Sequence, residues 1–344
     1  MVDPAQTSPD PQPRDPTQWR VIGASTLGAG HRERDEPCQD HHLLSWLGEG
    51  DRQALVLAVA DGAGSARHAE QGSRLAVAGL RDAVGELLAR ERLPSQIEDL
   101  DTWRWALLRV RLGLQEHAME HRLELRDLAC TLLAVVIDRA GAVCLQLGDG
   151  FILYGKQHEY LPVFRPTRGE FANETVFVVS PGAIDHHLQI ARLSRVPERL
   201  VLMSDGLENV AIVQQTGKGY ERLFDPLFER LAQRPPGLDS ELSDELAAWM
   251  DRPRINRHTD DDKTLILALA MDTEVAMPAT AETAEVAPLD PVTDPGTGEE
   301  HPAPSGAALA TAPADAPAEA APPGDTPSAS DPDPDDERGD HPAG

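Results

Sequence analysis

The chain has few cysteines and aromatic residues and no long apolar run. Its three cysteines, Cys38, Cys130 and Cys144, show no CxxC spacing and cannot all pair, which argues against a disulfide framework or a structural zinc site. The first eighteen residues carry no apolar signal core, and no apolar run approaches the roughly 20 residues that a membrane helix needs. These absences predict a cytoplasmic protein in a reducing compartment, without membrane attachment.

Positive charge is scarce as well. The chain has 31 lysine and arginine residues against 58 aspartate and glutamate residues, for a formal net charge of −27. From Asp272 onward there are 17 acidic residues and one arginine, so this stretch holds −16 of that charge. No basic stripe with interleaved aromatic side chains occurs, and a negative surface repels phosphate backbones. The composition therefore excludes nucleic acid as a partner.

Two common phosphate and hydrolase motifs are missing. The sequence contains neither G-x-x-x-x-G-K-[ST] nor G-x-S-x-G, the signatures of a P-loop and of a strained serine nucleophile. Chemistry at a phosphate or ester group would therefore have to use other residues.

Composition divides the chain into three parts. Residues 1–18 are polar and proline-rich, and residues 273–344 consist mainly of Ala, Pro, Asp, Glu, Thr and Gly. Such a tail cannot bury enough apolar surface to order itself. We predict a flexible leader (1–18), one globular domain (19–272) and a disordered acidic tail (273–344). The tail is either a solvated segment or a docking segment for a partner.

The apolar pattern of residues 19–272 predicts the secondary structure. Spacings of three to five residues between leucines and valines predict long helices over 67–91 and 100–123, with shorter ones around 223–231 and 242–249. Alternating or continuous β-rich runs predict strands near 20–26, 42–46, 54–60, 131–137, 142–147, 151–154, 175–179, 199–203 and 264–270. Strands, two long helices and further strands indicate a layered α+β fold with helices packed on sheet faces.

Five aspartates stand in glycine-rich or acidic turns next to these apolar runs. They are Asp40, Asp61, Asp149, Asp205 and Asp261. A strand that ends at Asp-Gly places a carboxylate at the rim of a sheet, and the glycine lets the backbone come close to a ligand. Carboxylate oxygens are the ligands that Mg²⁺ and Mn²⁺ prefer. The five turns therefore predict one metal site, of the kind that holds two cations about 3.5–4 Å apart and activates water against a phosphoryl group.

The order of these motifs resembles that of the metal-dependent protein phosphatases of the 2C type. The residues that carry the resemblance are Gln39-Asp40, Asp61-Gly62-Ala63-Gly64, Cys130-Thr131-Leu132, Gly148-Asp149-Gly150, Ser204-Asp205-Gly206 and Asp261-Asp262-Lys263-Thr264. A bacterial branch of the family is the better match, through Gly23-Ala24-Ser25, Gly30-His31, Pro37-Cys38-Gln39-Asp40 and Gly169-Glu170-Phe171-Ala172-Asn173-Glu174-Thr175. The resemblance spans nearly the whole globular part.

The resemblance implies a fold and a set of metal ligands. The fold is a sandwich of two antiparallel β-sheets flanked by helix pairs, with the metal ions, Mn²⁺ or Mg²⁺, in a cleft at one end. Asp61 would bridge two ions, with the Gly62 carbonyl as a further ligand. Asp205 and Asp261 would complete one shell. By the same resemblance, Asp149 would hold a weaker third ion together with Asp205, and Asp40 would support the site through bound water.

Two positions depart from the family pattern at the metal site. Many relatives carry a carboxylate immediately before the residue matching Asp40, where this chain has the neutral Gln39. Many eukaryotic relatives place a histidine, a proposed general acid, where this chain has Ala63. His31 or His68 is the candidate replacement, and we take His31 as the catalytic candidate.

The phosphate-binding arginine of the family is the third departure. Arg32 and Arg34 both lie near the expected position. The spacing does not decide between them, and we take Arg34 as the candidate.

The leading hypothesis is a phosphatase that hydrolyses phosphoserine and phosphothreonine by direct attack of metal-activated water. A catalytically weak phosphatase-like module that binds a phosphoprotein or a kinase is the alternative, because Gln39 and Ala63 replace family residues. A third hypothesis is a metal phosphoesterase for a small molecule. The resemblance further implies a cognate Ser/Thr kinase or a von Willebrand factor A type protein as partner.

Overall fold

The computed structural model describes residues 15–90, 92–156, 158–164, 175–193 and 196–271. All of these residues belong to one compact unit, Met1–Gly296. The predicted tail, most of the predicted leader and residues 169–174 of the family motif lie outside the described residues. The end of the predicted leader is described: Asp15 caps a short 3-10 helix, Pro16–Gln18, and Trp46 Nε1 donates a hydrogen bond to the Pro16 carbonyl at 3.0 Å.

Two antiparallel sheets form the centre of the fold. The strands are β1 (Trp19–Thr26), β2 (His41–Leu47), β3 (Ala54–Ala60), β4 (Leu132–Asp138), β5 (Gly141–Leu147), β6 (Phe151–Lys156), β7 (Glu159–Pro162), β8 (Gln189–Leu193), β9 (Arg199–Met203), β10 (Ile212–Val213), β11 (Lys218–Gly219), β12 (Gly237–Leu238) and β13 (Lys263–Ala270). One sheet has the order β2-β3-β4-β5-β8. The other has the order β12-β1-β13-β9-β6-β7, in which only the short β1–β12 pairing is parallel.

Helices cover the outer faces of both sheets. They are α1 (Ala29–Glu33), α2 (Ala69–Ala89), α3 (Leu100–His121), α4 (Ala183–His186), α5 (Glu208–Ala211), α6 (Glu221–Ala232), α7 (Ser240–Met250) and α8 (Pro253–Asn256). Helices α2 and α3 pack on the five-stranded sheet, and α6 and α7 pack on the six-stranded sheet. The predicted layered α+β fold is confirmed, as a sandwich of two sheets between two helix pairs. None of the described helices has the length and apolar character needed to cross a bilayer.

The central strands are apolar throughout because both of their faces are covered. In β3, Val56 and Ala58 pack under α2 and α3, while Leu55 and Leu57 point between the two sheets. All four side chains are fully buried. Successive residues of a strand point to opposite faces, so a strand buried on both sides loses the alternation of polar and apolar residues.

Residues 175–179 do not form the β-strand that the sequence pattern predicted. The structure places them in an extended segment and turn, where the Val178 amide donates a hydrogen bond to the Cys130 carbonyl at 2.9 Å. Strands β7 and β8, conversely, were not predicted. β-branched and aromatic composition indicates an extended chain, but pairing depends on whether a sheet edge lies within reach.

The topology brings the ends of four strands to one edge of the sandwich. β3 and β5 flank the antiparallel β4, so both end at the same edge of their sheet. The end of β9 pairs with the start of β13 in the other sheet, where Met203 is opposite Leu265. The turns that carry the predicted aspartates follow or precede these strand ends, so they face the same side of the molecule.

We predict that truncation of Leu80 on α2 destabilises the fold strongly. Leu80 is fully buried beneath the five-stranded sheet, and Leu80→Ala should lower the free energy of unfolding by about 2–5 kcal/mol. Leu108 on α3 is 49% exposed, so the matched Leu108→Ala change should cost less than about 0.5–1 kcal/mol. Urea unfolding followed by circular dichroism measures both. Equal losses would contradict the packing of α2.

Candidate active site

Asp61 follows β3 and is fixed by contacts to the start of β4. Its amide donates to Thr131 Oγ1 at 3.0 Å, and the Thr131 amide donates to the Asp61 carbonyl at 2.8 Å. The next residue, Gly62, has no room for a side chain, because a Cβ atom there would lie 2.7 Å from Ala69 Cβ and 2.8 Å from the Gln39 carbonyl oxygen. The close approach of three backbone segments therefore fixes the turn that carries Asp61.

Asp205 begins a short 3-10 helix directly after β9. The preceding Ser204 donates from Oγ to Asp40 Oδ2 at 2.7 Å and accepts from the Thr264 amide at 3.0 Å, which ties β9, β13 and the start of β2 together. A Cβ atom at Gly206 would lie 1.9 Å from a backbone carbonyl oxygen of the turn before β13. Only glycine fits at that position without moving the turn.

Asp149 lies in the turn between β5 and β6. Gly148 has φ = +118°, a backbone conformation that favours glycine, and Gln146 Nε2 donates to the Gly150 carbonyl at 3.0 Å. Thr175 Oγ1 donates a short hydrogen bond to Asp149 Oδ2. These contacts hold the carboxyl group of Asp149 toward the segment that follows residue 174.

Most of the predicted site residues line one cavity of about 150 Å³. Its lining consists of His31, Asp61, Gly62, Ala63, Gly64, Thr131, Asp149, Thr175, Phe177, Asp205 and Asp261. Four of the five predicted aspartates therefore reach one space from four separate turns. The fifth, Asp40, is buried and accepts its hydrogen bond from Ser204 behind this lining.

Burial is the main reason that the carboxyl groups of the site have raised pKa values. Burial, followed by the charges of Asp40, Asp205 and Asp261, raises the pKa of Asp61 well above its ordinary value. Burial also raises the pKa of Asp40 to about 7, although hydrogen bonds from the Ser204 and Thr264 side chains act in the opposite direction. The pKa of Asp205 rises for the same first reason. Negative charge is thus concentrated where water is scarce, and a cation would relieve the repulsion.

The donor set fits small hard cations. It contains carboxylates and the Gly62 backbone, and Asp205 Oδ1 is buried with no hydrogen-bond donor among the described residues. Within the described residues, no three His, Cys, Asp or Glu side chains come together as a closed ligand shell around one ion. Mg²⁺ keeps several waters and uses one or two carboxylates, so an open set of this kind suits it, whereas a structural zinc site would not.

Asp262 acts as a clamp beside the cavity. Its Oδ1 accepts from the Gly28 amide at 2.6 Å, and its Oδ2 accepts from the Gln39 amide at 2.6 Å. The same Oδ2 lies 2.9 Å from Nδ1 of the buried His31. Its carboxylate thus joins the start of β13 to the segment between β1 and β2. It also lies against the one histidine in the described cavity lining.

The other predicted or candidate residues lie elsewhere. Arg34 Nε donates to Glu36 at 2.8 Å, and Arg32 pairs with Asp251 at 2.9 Å, both near the surface. Neither arginine belongs to the cavity lining. His68 precedes α2 and is also outside the lining. The phosphate-binding role of Arg34 stays a prediction.

Several residues of the site had no predicted role. Three hydroxyl residues lie inside the motifs that carry the family resemblance: Thr131, Thr175 and Ser204. Only the structure shows that each of them makes a hydrogen bond with one of the site aspartates. Phe177, the one aromatic ring of the lining, belongs to the run that the β pattern assigned to a strand. A hydroxyl beside an Asp-Gly turn was the available signal for Ser204, whereas Thr131 and Thr175 are not adjacent to such a turn.

Comparison with known sequences identifies the family. A sequence model described as protein phosphatase 2C matches residues 27–251. The chain belongs to the protein phosphatase 2C family. Serine/threonine-protein phosphatase 3 of Escherichia coli (strain K12) is 32% identical to it over 260 residues, which cover 73% of this chain and 98% of that protein. Members of the family depend on divalent metal ions, usually Mn²⁺ or Mg²⁺.

Solved structures show the same fold. A bacterial serine phosphatase aligns with a TM-score of 0.50 at 16% identity, over 74% of this chain and 99% of that chain. A serine/threonine phosphatase from Staphylococcus aureus aligns with a TM-score of 0.50 at 15% identity, over 75% of this chain and 98% of that chain. At these identities the likeness concerns the arrangement of the sandwich and its helix layers.

We predict that Asp262→Asn destabilises the protein by about 2–4 kcal/mol, because two amides that now donate to a charged, buried acceptor would face a group with one acceptor oxygen. Asp260, two residues earlier, is exposed, so Asp260→Asn should change the free energy of unfolding by less than about 0.5 kcal/mol. Denaturant unfolding of both variants is the measurement. Equal stability of the two would show that the clamp contributes little.

Proposed function

We propose that the chain is a metal-dependent phosphatase that removes phosphate from phosphoserine and phosphothreonine in proteins. The observation that carries this proposal is the cavity that Asp61, Asp149, Asp205 and Asp261 line together. Its described lining contains no serine or cysteine that could serve as a nucleophile. The names of the relatives support the substrate class, since the protein from Escherichia coli is a serine/threonine-protein phosphatase.

The carboxylates have distinct tasks in this proposal. Asp61 would hold two ions, together with the Gly62 carbonyl; Asp205 and Asp261 would complete one shell, and Asp149 would serve a weaker third position. Asp40, which is buried, would support the site through bound water. When bound, Mn²⁺ or Mg²⁺ supplies positive charge to the phosphoryl group and acidifies the attacking water.

His31 is the candidate proton donor to the leaving group. Its Nδ1 lies 2.9 Å from the Asp262 carboxylate, and its Nε2 lies 3.7 Å from the Glu36 carboxylate. Because the ring belongs to the cavity lining, it can exchange a proton with a group bound there. A serine or threonine alkoxide leaves poorly without a proton, so this function matters most for the protein substrate.

We expect Asp61→Asn and Asp205→Asn each to lower Mn²⁺-dependent phosphate release from a phosphothreonine peptide by at least about 100-fold, because each change removes charge from the cation site. Asp82→Asn on the exposed face of α2 is the matched control and should behave as the wild type. Phosphate release is measured with Mn²⁺ and with excess EDTA. Full activity in EDTA would overturn the metal dependence.

The role of His31 is tested by the choice of leaving group. His31→Gln should slow hydrolysis of a phosphothreonine peptide by about 10²–10⁴-fold, the usual contribution of general acid catalysis. Hydrolysis of p-nitrophenyl phosphate should change far less, because nitrophenolate leaves without a proton. Steady-state kinetics on both substrates provides the ratio. A uniform loss on both would assign His31 to structure or metal binding instead.

Substrate class is tested by comparing phosphopeptides with nucleotides and small phosphate esters. The proposal requires a higher kcat/KM for the phosphopeptides. Retained peptide binding without turnover at saturating Mn²⁺ would instead support the alternative of a binding module, for which Gln39 and Ala63 are the motivation. A cognate Ser/Thr kinase as partner stays a prediction.

A further inference from the structure

An arginine on α3 reaches the segment that forms one wall of the cavity. Arg111 Nη1 donates to the Val178 carbonyl at 3.0 Å and to the Ser180 carbonyl at 3.2 Å. Arg111 itself is not part of the described cavity lining, whereas Thr175 and Phe177 of the contacted segment are. One side chain thus connects a helix on the outer face of the sandwich with the wall of the candidate active site.

The described polar contacts of Arg111 go to backbone carbonyls alone. The side chain is partly buried, and among the described residues no carboxylate pairs with it. A guanidinium group has N–H donors only, and its charge strengthens the hydrogen bonds that it donates. Both bonds start from the same nitrogen, so the two carbonyl groups are held at one point beside α3.

The contacted residues form a turn that includes a residue of the cavity wall. The Ser180 amide donates to the Phe177 carbonyl at 2.9 Å, and the Phe177 amide donates to Ser180 Oγ at 3.2 Å. Phe177 and Ser180 are therefore bonded to each other in both directions. Because Arg111 holds the carbonyl group of Ser180, it also restricts where the Phe177 ring lies in the cavity.

The same segment has contacts on its other side with the turns of the site. The Val178 amide donates to the Cys130 carbonyl at 2.9 Å, and Thr175 Oγ1 donates to the carboxyl group of Asp149. The Val178 side chain is fully buried in the apolar core beneath α3. The segment is therefore held between α3 and the site, and Arg111 provides the described polar contacts on the α3 side.

We propose that Arg111 is a positioning residue for the candidate active site. From α3 it holds the turn at 177–180, and through that turn it keeps Phe177 and Thr175 at the cavity wall where a phosphopeptide would bind. The inference rests on the proposed phosphatase function. It assigns to Arg111 no contact with the substrate or with the metal ions.

Hydrogen exchange of the segment 175–183 tests the contact without using catalysis. In the wild type with excess EDTA, the Val178 and Ser180 amides should be protected, because both donate hydrogen bonds. Arg111→Met should accelerate their exchange by at least about tenfold, since two charge-assisted hydrogen bonds are lost. The Thr131 amide, which donates to the Asp61 carbonyl, should exchange as in the wild type.

Arg109→Met is the matched control on the same helix. It removes the same charge, but Arg109 is exposed and pairs with Glu86 at 3.2 Å. Exchange of the segment should therefore match that of the wild type. Equal exchange in Arg109→Met and Arg111→Met, or unprotected Val178 and Ser180 amides in the wild type, would overturn the proposal.

Kinetics distinguishes positioning from a general loss of stability. Arg111→Met should raise KM for a phosphothreonine peptide by about tenfold and change kcat less, because Asp61, Asp205 and Asp261 lie on other turns. Arg111→Lys keeps the charge and several N–H donors on one nitrogen, so it should recover most of the KM. Arg109→Met should keep the KM of the wild type. A KM unchanged in Arg111→Met would contradict positioning.

A double-variant cycle tests whether Arg111 acts through the segment. Thr175→Val removes the hydroxyl bond to Asp149 at the other end of the wall. Combined with Arg111→Met it should raise KM by less than the product of the two single effects, because both changes release the same segment. Multiplicative effects would overturn the proposed route. If phosphopeptides are not hydrolysed at all, the proposed function fails, and the exchange data still decide whether Arg111 holds the turn.

Discussion

The carboxyl group of Asp61 lies between those of Asp40 and Asp205 in a partly closed cavity, and each of the three has a raised pKa. Repulsion between buried like charges is costly, so the fold has to offset it. It does so by hydrogen bonds from the Ser204 and Thr264 hydroxyl groups to Asp40. The negative charge that these hydrogen bonds do not offset favours the binding of divalent cations. The stability of this edge of the sandwich is therefore linked to the metal dependence of the family.

The sandwich provides the rigid frame that such a site needs. Four strand ends meet at one edge because β3 and β5 run in the same direction and β9 pairs with β13. The central residues of β3, β4 and β9 are apolar, and the site aspartates lie in the turns at strand ends. Close backbone approaches at Gly62 and Gly206 then leave the turns little freedom. Positions on rigid elements hold ligand geometry better than free loops do.

His31 connects the contacts around Asp262 with the cavity. Its Nδ1 lies 2.9 Å from the Asp262 carboxylate, and its ring belongs to the described cavity lining. A histidine beside carboxylates that suit hard cations is well placed for proton transfer.

The sequence by itself determined the layered α+β class, the long helices, most strands of the two sheets and the family. Hydrophobic periodicity and Asp-Gly turns are local signals, so they can be read without knowing what the chain packs against. The order of the motifs placed Asp61, Asp149, Asp205 and Asp261 in one expected site, and the structure brings them to one cavity.

Only the tertiary structure decided the contacts between distant segments. The segment at 175–179 has the composition of a strand, but it contributes Thr175 and Phe177 to the cavity lining instead of joining a sheet. The clamp formed by Asp262 joins residues more than 200 positions apart, and the pairing of Arg34 with Glu36 depends on how α1 ends. Such contacts depend on which surfaces meet after folding, and one sequence carries no local pattern that records this.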